Sequence, residues 1–221
     1  MDGLEFCEDH WYNHIVIRKK EDDALNLKRW LYLFFSTLMV GAVSSLILGL
    51  ILERNLWGMG TLNIIVGLIG HIGAGLLFSL ISQMGFFAYL AIHNFGLGLF
   101  RSLWSPVQVL LIAFTFFDLV YFRYQLFGEG ASFFSFIWIP LGILVYSLIV
   151  SYFKVKQTNS RAAVPAVFLI FVVTVVEWIP ALRENNLLSM FYMLIPLLLC
   201  NTWQVMQLHR LTQKKAPVKG A

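Results

Sequence analysis

Long apolar runs alternate with short charged clusters along this chain. Six runs hold nineteen residues or more: Trp30–Leu52, Leu62–Ser82, Trp104–Phe122, Ser132–Phe153, Val164–Leu182 and Leu187–Leu208. A helix of about 20 apolar residues crosses the roughly 30 Å hydrocarbon core of a bilayer. The pattern therefore predicts an all-α polytopic membrane helix bundle over 30–208, between a polar N-terminal tail, 1–29, and a C-terminal tail, 209–221. A shorter run, Met84–Phe100, has 17 residues and carries His93, Asn94 and the glycines Gly85, Gly96 and Gly98.

The basic residues decide how that shorter run is read. Six spans with the N-terminus in the cytoplasm put thirteen of the sixteen Lys and Arg residues inside, leaving Arg54, Arg123 and Arg183 outside. Counting Met84–Phe100 as a further span gives seven inside and nine outside. Lys and Arg concentrate in short cytoplasmic loops, so six spans with both termini cytoplasmic are expected, seven being the alternative. Backbone can enter a membrane without crossing it where it packs on protein. Met84–Phe100 is then expected as a short re-entrant or interfacial helix on the cytoplasmic side, ending at Arg101.

Composition agrees with the pattern. Mean hydropathy is +0.75 and only 13% of residues are charged, against about 25% in soluble domains. Met1–Arg29 is polar and mixed in charge, without the apolar core of a cleavable signal peptide. The net charge of +4 sits beside the spans, where it orients the chain and meets lipid head groups. Membrane lipids are thus expected partners, and nucleic acid is not. Cys7 and Cys200 give no disulfide framework.

Small residues at Gly41, Ser45 and Gly49, and at Gly67 and Gly75 around His71, recur every fourth position. Such faces let helix backbones approach closely in lipid. His71 is expected in a helix contact, as a neutral imidazole or as a proton relay. Pro140 and Pro196 fall within spans and are expected to bend them.

Two acids lie inside spans. Asp118 shares a stripe with Gln108 and Thr115, and Glu177 follows Thr174 by three residues. Ionisable residues in a membrane are candidate functional sites. The six-span arrangement puts both in the outer half, near Tyr121, Tyr124 and Trp178, so they are expected either to pair with Arg123 and Arg183 or to line an outward pocket. Cys7, His10 and His14 cluster in the tail, short of the ligands that a zinc site needs. HExxH, GxSxG, Walker A and GxGxxG patterns are absent. An enzyme, a cofactor or a bound metal is therefore not expected.

The segment Ser82–Trp104, followed by Val107-Gln-Val and Phe117-Asp-Leu-Val-Tyr-Phe-Arg-Tyr124, together with Arg29-Trp-Leu-Tyr-Leu-Phe-Phe-Ser-Thr-Leu-Met-Val-Gly41, resembles the KbaA family. These are KinB-signalling pathway activation proteins of spore-forming bacilli. The resemblance implies a multi-pass cell-membrane accessory protein that activates a membrane sensor histidine kinase feeding the sporulation phosphorelay. It supplies no catalytic residue, and it implies that the first 27 or so residues are an extension. The alternative from the intramembrane acids is a small-molecule or proton-coupled transporter.

Overall fold

The computed structural model describes residues 2–52, 61–128, 132–183 and 186–212, with side chains from 27 onward except those of 210 and 212. Every regular element among them is helical: α1 (Asp2–Leu52), α2 (Thr61–Phe100), α3 (Trp104–Phe127), α4 (Trp138–Gln157), α5 (Ala163–Phe168), α6 (Thr174–Leu182) and α7 (Leu187–Thr212). A π-helical turn, Leu169–Val173, joins α5 to α6 in one rod. Five stretches are long and apolar enough to cross a membrane, and one of them, Thr61–Phe127, folds back on itself at Arg101.

Met84–Phe100 does not form a helix of its own. It is the second half of α2, whose 40 residues make a rod about 60 Å long at 1.5 Å per residue. The buried stripe His71, Gly75, Ser79, Ser82, Phe86, Tyr89 and Gly96 runs through the junction without a break. Two of its glycines serve close packing, Gly85 against Glu177 and Gly96 against the Trp104 indole, whereas a Cβ on Gly98 would meet no described atom within 4 Å.

The reversal after α2 is built from two contacts and one backbone conformation. Trp104 Nε1 donates to His93 Nδ1 at 3.0 Å, Phe100 stacks on Trp104, and Arg101 adopts φ 48°. The last is the left-handed backbone that usually ends helices at glycine. From there α3 doubles back, bringing Gln108 beside the Tyr89 hydroxyl.

α1 and α2 pack antiparallel through the small residues. A Cβ on Gly41 would strike the Gly75 carbonyl, one on Gly75 would strike Gly41 and Ala42, and one on Gly49 would enter the His71 ring. Ser45 is fully buried on the same face, whereas Gly67 is half-buried. Pro140 differs from expectation. α4 starts at Trp138, so Pro140 lies in its first turn, where a missing N–H breaks no intrahelical bond. Pro180 and Pro196 lie inside α6 and α7.

The rod α5–α6 is the most buried of the long helices. Two apolar clusters surround it. One gathers Leu119, Ile143, Phe171, Trp178, Leu182, Met190 and Leu197. The other gathers Leu33, Phe86, Tyr89, Val150, Phe168, Ile170 and Val205. Among the buried members on α7 the first ends at Leu197 and the second begins at Val205, with a polar layer between them.

Candidate functional site

That layer is built on five consecutive residues of α7, Cys200 to Gln204. Cys200 Sγ points to Thr37 O on α1 at 3.8 Å. Asn201 Nδ2 donates to Glu177 Oε2 and to Thr174 Oγ1, each at 2.8 Å. Its Oδ1 accepts from Ser82 Oγ at 2.8 Å. Thr202 Oγ1 pairs with the Tyr146 hydroxyl on α4 at 2.9 Å, and Trp203 Nε1 donates to Ser36 Oγ at 2.9 Å. Gln204 Nε2 reaches Ser82 Oγ at 3.2 Å. One turn of α7 thus bonds α1, α2, α4 and α6 at a single level.

Glu177 is the ionisable acid of this layer. It is buried, its Oε2 is held by Asn201, and its Oε1 has no hydrogen-bond partner among the described residues. The carboxylate fits because Gly85 lacks a side chain: a Cβ there would collide with Oε1. The π turn directly precedes Thr174. A π turn adds a residue and rotates everything after it, and such turns recur at functional sites. Here Leu169, Ile170 and Phe171 remain buried through the turn, and Thr174 and Glu177 still face inward.

Asp118 behaves oppositely. It is exposed, on a face with Leu110, Phe114, Phe117 and Tyr121. The stripe from Gln108 through Thr115 drifts off the packed side, because ten residues at 100° each leave Asp118 about 80° from Gln108. The buried line of α3 runs instead through Trp104, Gln108, Leu119, Val120 and Arg123. Neither acid forms an ion pair with Arg123 or Arg183 among the described residues. Arg123 Nη1 donates to Leu182 O at 3.4 Å and to Met190 Sδ at 3.1 Å, and its guanidinium lies 4.9 Å from the Phe127 ring centre. Arg183 is exposed just beyond α6.

The remaining candidates lie apart from this layer. His71 Nδ1 bonds the Tyr192 hydroxyl at 2.8 Å, on the wall of a cavity of about 440 Å³ that also touches Gly49, Phe78 and Met193. His93 serves the α2–α3 reversal, and Asn94 and Arg101 are exposed there. Cys7, His10 and His14 lie outside the described side chains. Among the described residues no group of three or more His, Cys, Asp or Glu is placed to hold a metal.

The sequence reading missed Asn201, Ser82, Gln204 and Lys154. Lys154 is buried, with Nζ donating to Val205 O at 2.6 Å and facing His209 Nδ1 at 3.3 Å. Its signal was present: Ser147, Val150, Ser151 and Lys154 share one buried stripe of α4, whereas Lys156 does not. For α7 the signal was the polar interruption Asn201-Thr202 and Gln204 inside an apolar run.

Comparison with known proteins gives a consistent result. The chain is 40% identical over 192 residues to the KinB-signaling pathway activation protein of Bacillus subtilis (strain 168), covering 82% of this chain and 96% of that relative. No solved structure matches it. The family model described as KbaA, KinB-signalling pathway activation in sporulation, matches residues 37–211, a range that contains the polar layer apart from Ser36, and the α2–α3 reversal. The chain belongs to the KbaA family.

Proposed function

We propose that this chain is a multi-pass cell-membrane protein, with six spans and both termini cytoplasmic, that acts without catalysis to activate a KinB-type sensor histidine kinase feeding the sporulation phosphorelay. The observation that carries this reading is the similarity to the Bacillus subtilis KinB-signaling pathway activation protein along nearly all of that relative's length. The helices support it as well. Five stretches suit a bilayer, and the inner polar groups bond helix to helix.

The exposed face of α3 is where the kinase would dock. Leu110, Phe114, Phe117 and Tyr121 surround Asp118 there. An ionisable side chain facing lipid is costly unless a partner covers it. A transmembrane helix of the kinase bearing a basic or hydrogen-bonding residue would satisfy Asp118 and fit the apolar rim. Activation follows only if that contact favours one kinase arrangement over the other.

The test is co-reconstitution of kinase and this protein in liposomes. Autophosphorylation should rise with the wild-type protein and fall back with Asp118→Leu, while the variant still inserts and folds. Equal kinase activity with and without the protein would end the direct version. Labelling of a single cysteine at position 95 from the cytoplasmic face tests the orientation.

A further inference from the structure

We propose that the cavity beside Arg123 is a binding site for a small amphiphilic anion, a carboxylate or phosphate group carried on a short apolar chain. The cavity has a volume of about 400 Å³, within the roughly 300–1,000 Å³ of small-molecule sites. It lies at the end of the bundle where α3 and α6 finish and α4 and α7 begin. Leu119, Phe136, Ile139, Trp178 and Leu182 make its walls apolar, and among the described residues Arg123 is the one charged residue lining it.

The arginine is arranged as an anion receptor. It is only 7% exposed, and Nη1 alone is engaged, on Leu182 O and Met190 Sδ. Nε and Nη2 make no hydrogen bond to a described residue, although a guanidinium carries five donors. The Phe127 ring beside it favours a stacked guanidinium. A planar fork with two unused donor groups suits bidentate binding of a carboxylate or phosphate. The apolar walls would take the attached chain. This inference goes beyond the signalling role, and its test needs no kinase.

The source of the anion is either a free amphiphile or a phospholipid head group, and the experiment separates them. Purified protein in phosphatidylcholine nanodiscs is titrated with octanoate and, for comparison, with octanol. Octanoate should bind at least about tenfold tighter, the gain of a charge-assisted hydrogen bond. Arg123→Gln should abolish that preference. Ile139→Trp, which fills the cavity from α4 and leaves Arg123 in place, should block octanoate with helicity and size-exclusion profile unchanged.

Native mass spectrometry after extraction from mixed phosphatidylglycerol and phosphatidylcholine supplies the second arm. Phosphatidylglycerol retained by the wild type, displaced by octanoate and lost in Arg123→Gln, supports the site and assigns it to a head group. Octanoate binding without retained phosphatidylglycerol supports the site with a free anion. Equal affinity for octanoate and octanol, or wild-type octanoate affinity in either variant, overturns the proposal.

Discussion

Replacing Asn201 by leucine tests whether the polar layer holds the bundle together. Leucine shares the branched outline of asparagine and is the bulkier residue, so the substitution removes bonds without leaving a hole. Three are lost, to Glu177 Oε2, Thr174 Oγ1 and Ser82 Oγ, each 2.8 Å in the native protein. Interhelical hydrogen bonds inside membranes average about 0.6 kcal/mol, which makes about 2 kcal/mol for the set. The stranded partners raise the cost, since a buried polar group left unpaired loses about 1–3 kcal/mol. Asn201→Leu should therefore destabilise the protein by about 2–4 kcal/mol. Reversible unfolding in mixed detergent and dodecyl sulfate micelles measures it. The double variant with Glu177→Leu should cost at least about 0.5 kcal/mol less than the two single changes added, because the residues share a bond. A loss for Asn201→Leu under about 0.5 kcal/mol, or strict additivity, would refute the reasoning.

Gly85→Ala places a methyl group against the Glu177 carboxylate and Val173, and should cost about 1–3 kcal/mol through overpacking. The same change in a Glu177→Ala background should cost much less, and an equal cost in both backgrounds would mean that the clash lies elsewhere. Arg101→Gly relaxes a left-handed non-glycine backbone and should stabilise the α2–α3 reversal by up to about 1 kcal/mol. Thermal unfolding of the purified variant checks the sign.

The all-helical character of the chain and its span-length apolar helices were legible because a bilayer imposes a length, whereas their extents were not: α2 runs on through Met84–Phe100 and α1 starts at Asp2. Facing was much less legible. Asp118 and Glu177 present the same sequence signal, a single acid in an apolar run, yet one is exposed and the other buried. The difference lies in rotation about each helix axis. For α3 it follows from which line of residues packs on α5, and for α6 from a π turn that sequence periodicity does not announce. Asn201 was hidden for a related reason. A lone asparagine reads as a loose polar residue until Ser82, Thr174 and Glu177, distant in sequence, are brought within bonding distance. The small-residue faces were easier. Gly41 and Gly49 sit on one stripe of α1, and that stripe packs against Gly75 and His71.

Stiff and hollow parts of the bundle share one short helix. Glu177 anchors α6 to α7 through Asn201. The next residue, Trp178, lines the Arg123 cavity and donates to Met190 O at 2.9 Å, and Leu182 accepts from Arg123. An occupant of the cavity would thus press on residues one to five positions beyond the anchor. Coupling between two sites is reciprocal: if an anion favours the anchored position of α6, then releasing the anchor must weaken the anion. Asn201→Leu should lower octanoate affinity by at least about fivefold, the lower end of ordinary coupling, without altering any residue of the cavity wall. Titration of the variant in nanodiscs measures this directly. If stability falls as expected while octanoate affinity stays unchanged, the polar layer and the cavity are independent, and α6 does not connect them.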